Sequence, residues 1–419
     1  MDKFVINGGR ELAGEIEVCG SKNAAGPILA ASLLTSDECI IDNLPLIEDI
    51  KNTIGILESL GVKVEWIGDR KIKLKAEKID VAKMDVTKFS KVRMSVLLVG
   101  PLLTRFKHFI FPSPGGDKIG LRPISVHIKA LRKLGVSIEK EGDSYVVNRD
   151  ELLGKEVVLG EFSVTATELL MMVAVLAKGK TILKGAAAEP HVVDLGNMLV
   201  SMGANIKGLG SHTIEIIGVE KLHGCQHAVV PDYTEAGTFI VMGALTPGRV
   251  VVKNIDFGHL DLFLHKLEEM GVNFDRGENQ ITVFYSPFLK PVKVQALPHP
   301  GFPTDLLPVI LPLLVRAQGK SLIHDPLYEN RLGYVQELRK MGGDIEIVDP
   351  HRAFVFGPRE MQGISVNSLD LRAGAVLIVA GLMANGKTVI NDVFHIDRGY
   401  EKIEERLQKL GADIKRISN

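Results

Sequence analysis

Apolar and polar positions along the chain recur in blocks of about 70 residues. One signature appears six times: LESLGVKV, LRKLGVSI, LVSMGANI, LEEMGVNF, LRKMGGDI and LQKLGADI. Its glycines, Gly61, Gly135, Gly203, Gly271, Gly342 and Gly411, are separated by 74, 68, 68, 71 and 69 residues. Apolar residues at i and i+3 that stop at glycine predict the last turn of an amphipathic helix, with the glycine just past its end. The alternation that follows predicts a strand. A second marker lies upstream in each block. It reads LAKGKTILKG, LTPGRVVVKN, RAQGKSLIHD and MANGKTVIND around Gly179, Gly248, Gly319 and Gly386. Asp37 (LTSDECIIDN) and Lys107 (TRFKHFIFPS) take its place in the first two blocks. Each marker closes an apolar run long enough for a buried helix and opens a strand. Each block is therefore read as two helices and three or four strands, an α/β repeat, with three repeats per domain and two domains. Solenoid repeats are shorter, usually about 20–45 residues.

The repeats depart from their own rule in the second block. From marker to glycine there are 24, 24, 23, 23 and 25 residues in five blocks, but 28 from Lys107 to Gly135. The excess coincides with PSPGGDKIG, Pro112 to Gly120, with Asp117 near its middle. Extra length in one repeat alone is the mark of a functional loop or lid. Counting back 13 to 15 residues from each marker places Lys22, Arg93, Thr165, Glu235, Asp305 and Arg372 at the starts of the buried helices. Asp305 there reads as a helix cap. Lys and Arg instead oppose the partial positive charge of a helix N-terminus, so they want a bound anion as their reason. Charged loops also precede the second helices, with Arg122 in GLRPISVH, Arg331 in YENRLGY and Arg398 in HIDRGYE. The ligand class this pattern suits is a small polyanion.

Composition narrows the function further. Lys plus Arg total 50 against 51 Asp plus Glu, a net charge of −1, and 46% of residues are hydrophobic. That excludes a disordered chain and the basic footprint of a nucleic-acid binder. Cys19, Cys39 and Cys225 form no CxxC pair, and their odd number argues against a disulfide framework and a zinc site. The 12 His show no HExxH spacing, and Gly115-Gly116 is not followed by Gly-Lys-Ser/Thr. The opening MDKFVINGG has no signal segment, and the uncharged apolar run Ala373 to Ala384 is shorter than the roughly 20 residues a bilayer needs. A cytoplasmic protein without membrane or nucleic-acid partners is expected, as a monomer or weak homo-oligomer.

Longer motifs carry a resemblance across the whole chain. GSKNAAGPILAASLL, PGGDKIGLRP, PHPGFPTD, LYENRLGYVQELRKMGG, DLRAGAVLIVAG and HIDRGYEKIEERL resemble the enolpyruvyl transferases, and among them the UDP-N-acetylglucosamine 1-carboxyvinyltransferase family. The resemblance implies a two-domain inside-out α/β barrel with an active site in the cleft. One domain would be 22–230, carrying the 112–122 loop as a lid; the other would combine 1–21 with 231–419. It implies transfer of enolpyruvyl from phosphoenolpyruvate to the 3′-hydroxyl of UDP-N-acetylglucosamine, with release of phosphate and no cofactor or metal. This is the first committed step of peptidoglycan synthesis. Such chemistry needs an acid near C3, a base near the sugar hydroxyl and cations around phosphate and carboxylate. The resemblance assigns phosphoenolpyruvate to Lys22, Arg122 and Arg398, with Arg93 lining the pocket. It gives Asn23 and Asp305 to the sugar, with Asp305 as base, and Arg331, Asp370 and Arg372 to the wall. Pro123, Ile124, Ser163, Val164, Thr165 and Leu327 fall in substrate-binding segments, and Asp117 takes the lid position of the general acid.

Departures from the family pattern fall in two places. Asp117 stands where most members carry Cys, which implies insensitivity to epoxides that alkylate a lid thiol. On the acceptor side, Lys-x-Ser-Val-Gly-Ala-Thr appears as Glu161 to Thr167 with Thr165 for Gly, and Arg-Pro-(Val/Ile)-Asp-Leu-His as Arg122 to His127 with Ser125 for Asp. Arg-Glu-Pro-Glu appears as Ala188 to His191, and Arg-Ala-Ser as Arg93 to Ser95. These leave open a different acceptor, such as a uridine nucleotide, and a non-catalytic sugar-nucleotide-binding paralogue.

Overall fold

The computed structural model describes residues 2–116, 120 and 122–418. The chain divides into two compact units. One takes Met1–Cys19 and Pro231–Asn419, with Gly120 of the loop; the other takes Gly20–Gly116 and Arg122–Val230. Each unit has its own apolar core, one running from Phe4 to Ile414 and one from Ala24 to Val229. No helix among the described residues is long and apolar enough to cross a membrane.

Six sheets occur among the described residues, one for each sequence repeat. Five have four strands in the same arrangement. In the first repeat, the short strand Gln226–Ala228 runs parallel to Glu38–Asp42, which pairs antiparallel with Lys71–Lys75 and so with Lys63–Gly68. In the sixth, Ser365–Asn367 lies beside Lys387–Asn391, and the next strand is Lys3–Asn7 from the start of the chain, followed by Asp413–Ile417. The second repeat has three strands, His108–Pro112, Ser144–Arg149 and Val136–Glu141. Its position for a parallel edge strand is taken by the short helix Val86–Phe89. Among the described residues the sheets are hydrogen-bonded as separate sets.

The apolar runs form the helices of the interior. In one unit these are Lys22–Ala31, Val99–Arg105 and Val164–Ala174; in the other, Tyr233–Leu245, Leu307–Arg316 and Leu371–Met383. Within each unit the three pack on one another and against the sheets. They are apolar nearly all round because they have no solvent face. The second helices are amphipathic and end as the glycine pattern requires. Gly61, Gly203, Gly271, Gly342 and Gly411 all have φ between 81° and 102°. In each of these five ends the glycine N–H bonds the carbonyl three residues back and the next N–H reaches five back, as Gly61 to Glu58 and Val62 to Leu57 show.

The expected helix starts are offset. Lys22, Thr165, Glu235 and Arg372 lie inside first turns, and the caps are Ser21, Ser163, Asp232 and Asp370, one to three residues earlier. Arg93 opens a 3-10 segment, Arg93–Leu98, ahead of its α-helix. Asp305 does not cap a helix either; it lies in the 3-10 turn Thr304–Leu306, and its carboxylate is engaged elsewhere. The small polar caps accept first-turn N–H bonds, leaving the charged residues that follow free of that duty.

Candidate active site

In the unit that contains Pro231–Asn419, three of the expected site residues, Asp305, Arg331 and Arg372, meet at one carboxylate. Arg331 Nη2 donates to Asp305 Oδ1 at 2.5 Å, and Arg372 Nη2 donates to Oδ2 at 2.8 Å. The arginine side chains are 3% and 6% exposed, whereas Asp305 is 25% exposed. The anion is thus anchored from below and open to solvent above. Burial is the largest influence and opposes the charge of both arginines, but Asp305 together with Asp370 and Asp325 at Arg331, and with Tyr400 and Asp232 at Arg372, raises both pKa values. Asp370 caps helix Leu371–Met383, accepting from Arg372 N at 2.8 Å and Ala373 N at 2.9 Å.

Local sequence explains the placement of Asp305. Pro308 has no N–H to offer the Thr304 carbonyl, and Arg331 Nη2 binds that oxygen at 3.2 Å. Thr304 Oγ1 in turn donates to Asp325 Oδ2 at 2.6 Å, while Asp325 Oδ1 accepts from Leu327 N at 2.9 Å. Leu327 itself is exposed. Arg398 directly follows the helix Phe394–Asp397 and is half-buried. Two residues on, the Tyr400 hydroxyl meets Arg372 Nη1 at 3.4 Å and Thr238 Oγ1 at 2.8 Å.

The other unit gathers a cationic set. Ser21 caps helix Lys22–Ala31, so Lys22 and Asn23 begin its first turn, and Lys22 Nζ lies 3.5 Å from Asp49. Gly26 in that helix faces Met94, where an added Cβ would come 2.7 Å from the sulfur, which brings the helix close to the segment carrying Arg93. Gly116, at φ +122°, does the same for the arginines: a Cβ there would lie 2.8 Å from Arg93 Cβ and 3.4 Å from Arg122 Nη1. Pro123 is exposed and Ile124 buried. Ser163 caps helix Val164–Ala174, placing Val164 and Thr165 in its first turn. Thr165 Oγ1 meets His127 Nε2 at 2.9 Å. Burial, with the charge of Arg93 second, pushes the His127 pKa down to about 3, so this imidazole is neutral. Glu161, the carboxylate in place of the family lysine, is exposed. Asp117, the expected general acid, lies outside the described residues.

Several participants were not singled out by sequence. Asp325, Thr304 and Tyr400 support the Asp305 cluster, and His127 and the fully buried Glu168 stand beside the cationic set's helix starts. Asp325 had a signal. It follows its strand where Asn43, Gly185, Asn254 and Asp392 follow theirs with φ of 56° to 72°, but Asp325 does not share that left-handed backbone. No cluster of three or more His, Cys, Asp or Glu side chains suited to a metal ion occurs among the described residues.

What the arrangement offers is a partly solvent-exposed carboxylate backed by two fixed cations, and a separate set of Lys and Arg at helix starts. The first can accept a proton from a hydroxyl; the second can hold phosphate or carboxylate. Comparison with known proteins places the chain in a family. The family EPSP synthase (3-phosphoshikimate 1-carboxyvinyltransferase) matches residues 6–407. UDP-N-acetylglucosamine 1-carboxyvinyltransferase 1 of Carboxydothermus hydrogenoformans is 42% identical over 418 residues, covering 100% of this chain and 99% of that protein. The corresponding enzyme 3 of Caldanaerobacter subterraneus subsp. tengcongensis is 44% identical over 417 residues, covering 100% of both. Among solved structures, the enolpyruvyl transferase NikO from Streptomyces tendae superposes with a TM-score of 0.91 at 26% identity, covering 100% of this chain and 99% of that one. EPSP synthase from Acinetobacter baumannii shares the fold, with a TM-score of 0.74 at 19% identity and full coverage of both chains. With full-length identity above two-fifths and a structural match of this extent, the chain belongs to the enolpyruvyl transferase family, in its UDP-N-acetylglucosamine 1-carboxyvinyltransferase branch.

Proposed function

We propose that this transferase moves the enolpyruvyl group of phosphoenolpyruvate to the 3′-hydroxyl of UDP-N-acetylglucosamine and releases phosphate, a step of peptidoglycan synthesis. The observation that carries the reading is the Asp305 carboxylate, held by buried Arg331 and Arg372 yet open to solvent. In the proposed course, Asp117 protonates C3 of phosphoenolpyruvate while the sugar hydroxyl adds to C2 and gives its proton to Asp305. C3 then returns a proton to the Asp117 carboxylate as the bond between C2 and the phosphate oxygen breaks, and the departing phosphate takes up the proton that Asp305 received. Lys22, Arg93, Arg122 and Arg398 neutralise the phosphate and carboxylate, charge that would otherwise oppose addition. Asn23, Pro123, Ile124, Ser163, Val164, Thr165 and Leu327 contact the nucleotide sugar, and Asp370 and Arg372 set the wall against which it rests.

Purified protein given phosphoenolpyruvate and UDP-N-acetylglucosamine should release phosphate and form the enolpyruvyl nucleotide by mass spectrometry. Asp305→Ala and Lys22→Ala should each lower the rate at least about 100-fold. Equal background release by all three proteins would rule the reading out. One observation favours a changed acceptor: Thr165, in the family's glycine position, spends its hydroxyl on His127 beside the acceptor segment. Faster turnover with a simple uridine nucleotide in the same assay would select that alternative.

A further inference from the structure

The unit that contains Lys22 also holds a pair of thiols that the transfer chemistry does not use. Cys39 lies on strand Glu38–Asp42, and Cys225 immediately precedes Gln226–Ala228, its parallel neighbour. Gln226 is opposite Ile40 and His227 opposite Ile41, and Ile40 N donates to the Cys225 carbonyl at 2.8 Å. That register sets Cys225 beside Cys39, and the two-residue period of a strand puts both on one face with Ile41 and His227. The two thiols act directly on each other's ionisation. Both cysteines are reduced; Cys39 is fully buried and Cys225 half-buried.

The surroundings make the two thiols unequal. Ser201, at the end of helix Pro190–Ser201, hydrogen-bonds Cys225, and His227 and His223 flank it. His227 Nε2 is 2.9 Å from Asp194, and Asp37 is the acidic group acting on Cys39. The Cys39 thiol, then Ser201 and the two imidazoles, hold the Cys225 pKa down to about 6 against the opposing effect of burial. The same contact, together with burial, pushes the Cys39 thiol up. The pair is thus biased towards a half-buried Cys225 thiolate beside a protonated Cys39 thiol. A thiolate is the nucleophilic form, and a neighbouring thiol is what resolves its oxidised product.

We propose that Cys225 and Cys39 form a reversible oxidation site for small hydroperoxides, closing a disulfide between the first strand of this unit and its returning strand. The Cys225 sulfur attacks the peroxide O–O bond, forming S–OH and expelling hydroxide, which takes a proton to become water. The Cys39 sulfur then attacks the sulfenic sulfur, its proton leaving with the hydroxyl as a second water. Two electrons pass from the two thiols to the peroxide. Neighbouring strands are about 4.8 Å apart, within the roughly 4.4–6.8 Å Cα span that disulfides accept. Cys19, buried in the other unit, provides an internal control.

The test treats the full-length protein with hydrogen peroxide and maps non-reduced peptides. The expected result is a Cys39–Cys225 crosslink, a loss of two hydrogens from the intact mass, Cys19 still free, and reversal by dithiothreitol. Cys39→Ser should stop at a Cys225 sulfenic acid that dimedone traps, and Cys225→Ser should show neither crosslink nor a Cys39 adduct. Alkylation of wild-type Cys225 should rise with a midpoint near pH 6, not near the ordinary thiol value of about 8.5; this arm stands even if Cys39→Ser fails to fold. Oxidation that begins at Cys19, a Cys225 sulfinic acid without crosslink, or an ordinary alkylation midpoint each overturns the proposal.

Discussion

At the scale of single residues, two buried ionisable groups beside the cationic helix starts, His127 and Glu168, shape the pH response. His127 ionises near 3 in the folded chain, against about 6.5 when free. Between those values the unfolded chain binds a proton that the folded one refuses, so stability falls as pH drops below about 6.5, by up to ~1.4 kcal/mol per pH unit, and the loss ends near 3. Glu168 works in the opposite direction. Burial, aided by the charge of Glu189, raises its pKa well above the usual range, so the folded chain keeps a proton that the unfolded one releases above about 4.3. Stability therefore falls as pH rises from that point towards the folded pKa. Neither Glu168 Oε1 nor His127 Nδ1 has a hydrogen-bond partner among the described residues, so neither ionised form is rescued locally. Urea unfolding at pH 5 and pH 8 should find His127→Gln gaining more at pH 5 and Glu168→Gln gaining more at pH 8. An unchanged pH slope in either variant would remove that residue from the account.

Elements show what a sequence makes legible and what it hides. The helix ends were readable because a left-handed residue after an amphipathic turn nearly demands glycine, and the six glycines all have positive φ. Helix starts were less so. Lys22 and Arg372 caught the eye as charges, while Ser21 and Asp370, common residues anywhere, did the capping. The Asp305 cluster was visible as a list of residue types but not as a geometry. The bonds that place it join Thr304 to Asp325 and Asp305 to Arg372, across 21 and 67 residues, with no local pattern to announce them. Gly20 is a further hidden constraint. A Cβ there would lie 1.8 Å from the Asn43 carbonyl oxygen, on backbone that cannot yield without moving residue 43. Asn43 is itself tied by its side chain to Val229 O at 2.8 Å. Gly20→Ala should destabilise the protein by about 1–3 kcal/mol, as overpacking does, read as a lower urea midpoint at unchanged slope. A midpoint within error of wild type would show that the contact relaxes freely.

For the whole molecule, the six-fold period gave both the number of sheets and their division into two cores. It did not reveal that the two units differ in how the chain enters them. Residues 20–116 and 122–230 form one unit within a single stretch of sequence, with three sheets and a core of their own. The other unit borrows two strands from the first residues. Lys3–Asn7 lies between Lys387–Asn391 and Asp413–Ile417, and Gly14–Glu17 borders Arg249–Lys253. A fragment of residues 20–230 should therefore unfold cooperatively on its own, whereas residues 231–419 should not, because one of its sheets would lack a central strand. Circular dichroism melts of the two fragments check this, and a cooperative melt for 231–419 alone would contradict it.

The borrowed strand Lys3–Asn7 also fixes an order of events on the ribosome. Its two partners are the strands at 387–391 and 413–417, so this strand waits for segments synthesised far later. At about 5–20 residues per second the wait is tens of seconds, ample time for the contiguous unit to form first. Through that interval the strand has both edges unpaired, in the company of apolar helices still being made. The nascent chain thus passes through a stage with one finished unit and one open sheet seam, the stage at which its unpaired strand edges are most prone to pair with other chains.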